Sequence, residues 1–222
     1  MKNVTDSARR NTIKHLLSVP IAAVVAATGL RPAQAGLLVP TPMQSRGPFY
    51  PTEYPADTDN DLLKIGESAS LAQGRAVRLS GKIVDRAGRS PREAVVEIWQ
   101  CDAQGRYRHP WDRRSTPLDT AFQGYGRYRV GADGNYWFRT IKPVPYPGRT
   151  PHIHFLIRGP GFEPLVTQMY VHGEADNDRD GILNSIRDPQ RRAQLIVDLK
   201  SIAGSVELHG RFDIIIDAVL GV

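Results

Sequence analysis

From Ala76 onward the chain is cut into short runs of β-branched and aromatic residues by Gly, Pro and Asp, a punctuation that favours many short strands over long helices. Ala76–Val84 alternates through Val77, Leu79 and Ile83. Glu93–Gln100 carries Val95, Val96 and Ile98, and Tyr136–Ile141, His152–Ile157, Leu165–Val171 and Phe212–Val219 complete the set. Strands of this length, separated by turn residues, predict an all-β fold, an antiparallel β-sandwich with long irregular loops. Asp188–Lys200 reads equally as a short helix or a further strand. The 20 glycines and 17 prolines are aperiodic, and 41% of the 222 residues are hydrophobic. That composition supplies one full core and excludes a disordered chain, a collagen and a polytopic membrane protein.

The N-terminus reads as an address. Residues 1–35 combine a basic start (Arg9, Arg10, Lys14), an apolar run from Leu16 to Leu30 and an A-x-A cleavage pattern, Ala33-Gln34-Ala35. The adjacent arginines resemble a twin-arginine signal, although Thr12 stands where a hydrophobic residue is usual; an ordinary secretory signal is the alternative. The expected location is therefore exported, periplasmic or extracellular, with no stable membrane span after processing. Five of the 29 Lys and Arg and one of the 23 Asp and Glu fall in this segment, so the remainder keeps 24 basic and 22 acidic residues, a net charge of +2. No long basic run follows, which argues against nucleic acid and for a small substrate. Residues 36–71, rich in Pro, Asp and Thr, predict an irregular N-terminal arm, and residues 72–222 a β-sandwich catalytic domain.

Cys101 is the only cysteine, so neither a disulfide within the chain nor a thiolate metal cage can form. Anything bound is bound through nitrogen or oxygen. His152-Ile153-His154 lies in a predicted strand, where alternate side chains share a face about 7 Å apart at Cα, close enough to chelate one ion. Ordinary hydrogen-bonded histidines show the same pattern, so further donors decide between the two readings. A cupin would place a glutamate three or four residues later, where Arg158 and Gly159 stand, and no carboxylate sits in register for a facial triad. Tyrosines stand nearby instead. Tyr146 occupies the proline-stiffened loop Pro143–Arg149, and Tyr107 follows the strand ending at Asp102. Phenolate is a hard anionic donor, so two tyrosines with two histidines suit Fe(III) better than Zn(II) or Cu(I). Asp176–Gly181 has the opening of an EF-hand loop, but Arg187 replaces its bidentate glutamate, which favours an Asp-rich turn over calcium binding.

Three segments carry a specific resemblance: Thr41–Pro51 with its Gly47-Pro48-Phe49-Tyr50-Pro51, Glu97–Tyr107, and Arg139 through Phe155. In their order and spacing they resemble the intradiol ring-cleavage dioxygenases, most of all protocatechuate 3,4-dioxygenase chains, from about Thr41 to the C-terminus. The resemblance implies an Fe(III)-dependent enzyme that adds both atoms of O2 to a catechol-type ring and opens it between its hydroxyl-bearing carbons, giving a cis,cis-muconate-type product. It implies one Fe(III) per chain held by Tyr107, Tyr146, His152 and His154, with Tyr146 and His152 axial. It also places Arg149 and Tyr50 beside the substrate, Gln168 beside the iron, and Tyr146, Arg149 and Gln168 in the chemistry. The partners it implies are a small aromatic diol and O2, with a homo- or hetero-oligomer among the assemblies open to the chain. Gly148, where relatives can carry a tryptophan, implies a more open pocket wall and leaves the identity of the catechol open. The competing reading is an exported, non-catalytic sandwich that binds iron or another ligand with the same residues.

Overall fold

The computed structural model describes residues 36–221; the export-signal reading lies on residues 1–35, outside them. Two five-stranded sheets face each other across a single apolar core. The first is centred on β1 (Ala76–Val84), with β4 (Asn135–Ile141) antiparallel on one edge. Along its other edge run β9 (Leu208–Arg211) and then β10 (Ile214–Ile215), both parallel to β1, with β8 (Lys200–Ser201) outside β9. The second sheet has the order β3 (Tyr125–Arg129), β2 (Val95–Trp99), β5 (His152–Arg158), β6 (Leu165–Val171) and β7 (Ile196–Val197). The sandwich is as expected. Its long strands pair antiparallel, and parallel pairing is confined to the short strands β7, β9 and β10.

Alternation assigns the faces. Val77, Leu79 and Ile83 meet Val96, Ile98, Ile153, Phe155 and Ile157 between the sheets, all of them fully buried. Aromatic edges interlock there, with Phe155 and Phe212 centroids 5.0 Å apart. Gly81 interrupts the apolar row of β1 because a Cβ there would stand 1.9 Å from the Phe212 carbonyl oxygen.

Three expectations about elements change. Asp188–Lys200 holds both alternatives, a helical turn at Pro189–Ala193 followed by β7 and the start of β8. The predicted strand Phe212–Val219 shrinks to Ile214–Ile215, since the backbone breaks from β1 at Asp213, whose Oδ1 takes the Lys82 N–H at 2.8 Å. The arm from Gly36 to Leu71 forms no strand, yet it is pinned residue by residue. Leu62 is wholly buried in the core, its N–H donating to Arg139 O at 2.7 Å, and the N–H groups of Thr41 and Gln44 donate to Ile215 and Val166 carbonyls. Among the described residues no helix is long and apolar enough to cross a membrane.

Candidate metal centre

The strand register assembles the site on the outer face of the second sheet. Trp99, His154 and Gln168 lie side by side on β2, β5 and β6, and His152 lies beside Tyr170 on the next rung of that face. Two loops bring the phenols over this platform: the segment after β2 carries Tyr107, and the segment between β4 and β5 carries Tyr146. The four rings close a circuit. Centroids are 4.8 Å apart for His152–His154, 5.4 Å for Tyr146–His152, 5.6 Å for Tyr107–Tyr146 and 6.3 Å for Tyr107–His154.

Packing aims the rings. Trp99 stacks on His154 at 4.7 Å with planes 6° apart, and Phe49 from the arm stacks on Tyr107 at 4.5 Å. The arm crosses so close that Gly47, at φ +68°, would place a Cβ 3.3 Å from His154 Cε1; a side chain there would be strained in backbone and contact alike. His152 Nδ1 donates to Thr150 O at 2.6 Å, which fixes its tautomer and leaves the Nε2 lone pair free. That nitrogen lies 3.2 Å from His154 Nε2. This is the spacing of two adjacent donors bonded to one ion at about 2.1 Å.

Burial sets the charge states. It lowers the His152 pKa to about 4, helped by the Arg149 cation, and drives His154 well below the ordinary imidazole value, with His152 and Arg149 adding to it. Both rings are neutral near pH 7 and offer lone pairs. Burial also raises Tyr107 well above the ordinary phenol value and raises Tyr146, against which the Arg149 charge works. The Tyr107 hydroxyl is buried without a hydrogen-bond partner, as is His154 Nδ1. A buried hydroxyl left unpaired costs about 1–3 kcal/mol, so a centre built this way is completed by something that takes its oxygen. No three His, Cys, Asp or Glu side chains converge anywhere among the described residues, so a partner for the imidazole pair draws on the phenols. Two hard oxygen donors with two imidazoles fit a ferric ion.

Arg149 and Gln168 lie beside the ring of four. Arg149 Nη2 donates to Gln168 Oε1 at 2.6 Å, while Gln168 Nε2 donates to Ser45 O at 2.8 Å, so the glutamine ties the guanidinium to the arm. Tyr50 does not join them. Its hydroxyl donates to Glu97 Oε2 at 2.7 Å, beside the Tyr125 hydroxyl on the same oxygen, and its ring meets Trp99 edge-on at 5.0 Å. Tyr50 thus supports the platform from the side, because the buried Glu97 carboxylate captures its hydroxyl. Asp176–Gly181 is spent on internal bonds: Asp176 pairs with Arg179, and Asp180 accepts N–H groups and Arg149. Cys101 is buried, its thiol pushed up to about 12 by burial and then by the neighbouring Asp102 charge. Sequence reading missed Asp112, Thr150 and Asp180; each acts through a backbone bond or an ion pair formed by folding, and only the unusual density of Asp and Arg around 112–114 and 176–180 hinted at them.

Two cavities flank the ring of four. One, of about 190 Å3, is lined by Pro145, Tyr146, Gly148, Arg149 and Thr150 and by Asp176, Arg179 and Asp180 of the Asp-rich turn. The other, of about 380 Å3, lies against Tyr107, Trp99 and Phe49.

A β-sandwich whose outer face carries a buried circuit of two phenols and two imidazoles defines a narrow class of oxygen- and nitrogen-ligated centres. The chain belongs to the intradiol ring-cleavage dioxygenase family, the family model described as Dioxygenase matching residues 45–218. It is 40% identical over 135 residues to the protocatechuate 3,4-dioxygenase beta chain of Burkholderia cepacia, a match spanning 57% of each chain. It is 30% identical over 194 residues to the alpha chain of the Pseudomonas putida protocatechuate 3,4-dioxygenase, covering 80% of this chain and 92% of that one. Among solved structures it resembles the dioxygenase domain of a dioxygenase carbohydrate-binding protein fusion from Streptomyces sp. SirexAA-E, with TM-score 0.61 and 30% identity over 82% of this chain and all of that one.

Proposed function

We propose that this chain is an exported intradiol dioxygenase that holds one Fe(III) between Tyr107, Tyr146, His152 and His154 and opens a catechol-type ring between its hydroxyl-bearing carbons. The observation that carries the reading is the packing of neutral His152 and His154, their Nε2 atoms 3.2 Å apart, in one ring with two phenols, of which the buried Tyr107 hydroxyl meets no acceptor or donor at hydrogen-bond distance. The chemistry such an ion supplies when bound is Lewis acidity, enough to hold both oxygens of a catechol and draw electron density from its ring.

The chain's own residues do the rest. Tyr107 is 3% exposed and rigidly stacked, so it acts as a permanent donor. Tyr146 is less buried and lines the smaller cavity; as the phenolate it would be when holding the ion, its Oη could take up a proton from an incoming catechol and become the neutral phenol. Arg149 lines the same cavity and presents a fixed cation to negative charge developing on the ring. A cavity of about 190 Å3 admits one ring, and Gly148, where a Cβ would meet nothing within 4 Å, leaves its mouth open to ring substituents. Oxygen uptake with catechol, protocatechuate and hydroxyquinol, with products identified by mass, tests the activity. The reading expects stoichiometric uptake and ring-opened diacids; binding of a catechol without oxygen consumption would contradict it. Export is supported by the basic, apolar and A-x-A pattern of residues 1–35. An N-terminus at Gly36 in the exported fraction is the result expected.

A further inference from the structure

The Asp-rich turn has no part in the function proposed above, yet one of its carboxylates reaches the centre twice. Asp180 is fully buried, and its two oxygens have different work. Oδ1 accepts the N–H groups of Ile182 at 3.0 Å and Leu183 at 2.9 Å, capping the short helix Gly181–Asn184. Oδ2 accepts Arg149 Nε–H at 2.8 Å and Thr150 N–H at 3.1 Å. Thr150 O is the acceptor that fixes the His152 tautomer, and the Thr150 hydroxyl donates to Asn177 Oδ1 at 2.8 Å, a second tie to the same turn. Burial opposes the Asp180 charge, but Arg149 and the backbone N–H groups of Leu183 and Thr150 outweigh it and hold the carboxyl below its ordinary range.

We propose that Asp180 is a positioning residue that aims the Arg149 guanidinium into the substrate cavity and, through Thr150, holds the peptide that orients His152. The inference rests on the reading of Arg149 as a cation acting on the substrate. Three directions constrain that guanidinium: Asp180 on Nε, and Gln168 Oε1 and Tyr170 Oη on Nη2, at 2.6 and 3.3 Å. Asp180 alone brings a charge. With the Arg149 side chain only 12% exposed, its loss leaves a nearly buried cation without a counter-charge and free to turn. Carboxylates placed behind functional side chains in this way typically govern activity by 10- to 100-fold.

Asp180→Asn separates the two oxygens. The amide oxygen can keep the helix cap, while the amide NH2 turns donor against donor toward Arg149 Nε–H and Thr150 N–H. In the iron-loaded enzyme, assayed well below its melting temperature, kcat is expected to fall about 10- to 100-fold with KM changing less, and the melting temperature falls too because the Arg149 cation loses its counter-charge. In an Arg149→Ala background the same substitution is expected to cost clearly less, since the larger part of its effect passes through the arginine and only the tie to Thr150 remains to be lost. A readout that needs no turnover is solvent exchange of the Arg149 Nε–H by NMR, slow in the unaltered chain and fast in Asp180→Asn. Unchanged exchange, unchanged kcat, or equal losses in both backgrounds would each overturn the inference. If Asp180→Asn does not fold, Arg149→Lys serves instead, since it keeps the charge but lacks the held Nε–H; wild-type kcat in that variant overturns the inference. If the unaltered chain consumes no oxygen with any catechol, the dioxygenase reading fails, and the exchange measurement still decides whether Asp180 holds Arg149.

Discussion

Around its two histidines the two faces of β5 are buried equally and for opposite ends. Ile153, Phe155 and Ile157 point into the space between the sheets, and His152 and His154 point outward, yet none of the five is more than 1% exposed. The inner face is sealed by another sheet, apolar on apolar, and no polar demand is left open. The outer face is sealed by the arm and two loops, which bring phenols, carboxylates and a guanidinium, and there hydroxyl and imidazole groups remain without partners. Burial by a sheet stabilises the fold. Burial by polar loops prepares lone pairs, because it keeps the histidines neutral and leaves the Tyr107 hydroxyl unpaired.

The contrast is sharpest in substitutions that separate metal binding from stability. Tyr107→Phe, His152→Ala and His154→Ala are each expected to abolish tight iron binding and turnover while the chain stays folded, as checked by metal analysis alongside thermal unfolding. Unchanged iron in all three would break the distinction. On the inner face, Phe155→Ala is expected to lose about 3–5 kcal/mol in denaturant unfolding, through a cavity between the sheets, with the iron-binding residues themselves intact.

A smaller effect comes from the frame under Tyr107. Asp112 takes the Tyr107 N–H at 2.8 Å and pairs with Arg114. Burial works against its ionisation, but Arg114 and those N–H groups outweigh burial and lower its pKa to about 2. A carboxylate lowered by folding stabilises fully above its unfolded value near pH 4, and that contribution is lost as pH falls toward 2. Asp112→Asn is therefore expected to be less stable at pH 7 by ~2 kcal/mol and to show a flatter stability profile between roughly pH 4 and pH 2. The smallest expected effect is at Cys101. Its thiol, buried and pushed up to about 12, should resist iodoacetamide in the folded chain at pH 7 and react only on unfolding, as mass spectrometry would record.

Much of both faces was legible before folding. β1 and β6 fall at Ala76–Val84 and Leu165–Val171 as the alternation predicts, because strands whose one face meets the core carry the pattern in their own residues. β3 was not legible, since Tyr125-Gly126-Arg127-Tyr128-Arg129 shows solvent two arginines and closes Gly126 against the arm. β9, Leu208-His209-Gly210-Arg211, is held by parallel pairing to a strand more than a hundred residues earlier, which no local pattern encodes. On the outer face the His-x-His pair could be read from strand spacing and Tyr107 and Tyr146 from their loops, whereas Arg149 and Gln168 came only with the family resemblance; the structure brings these six side chains near one another. Tyr50 was drawn away by Glu97, and Asp180, 31 positions from Arg149, enters only through tertiary contact.

The central claim is that four side chains share one ferric ion with two phenolate oxygens among its donors. Its most direct test is the visible absorption of the iron-loaded protein, with iron counted per chain, in the unaltered sequence and in Tyr107→Phe, Tyr146→Phe and the double variant. The account predicts one iron per chain with a phenolate-to-iron band in the unaltered sequence, a shifted band in Tyr146→Phe, and loss of iron and band together in Tyr107→Phe and in the double variant. A colourless iron-replete protein, or a band that survives loss of both tyrosines, would contradict it.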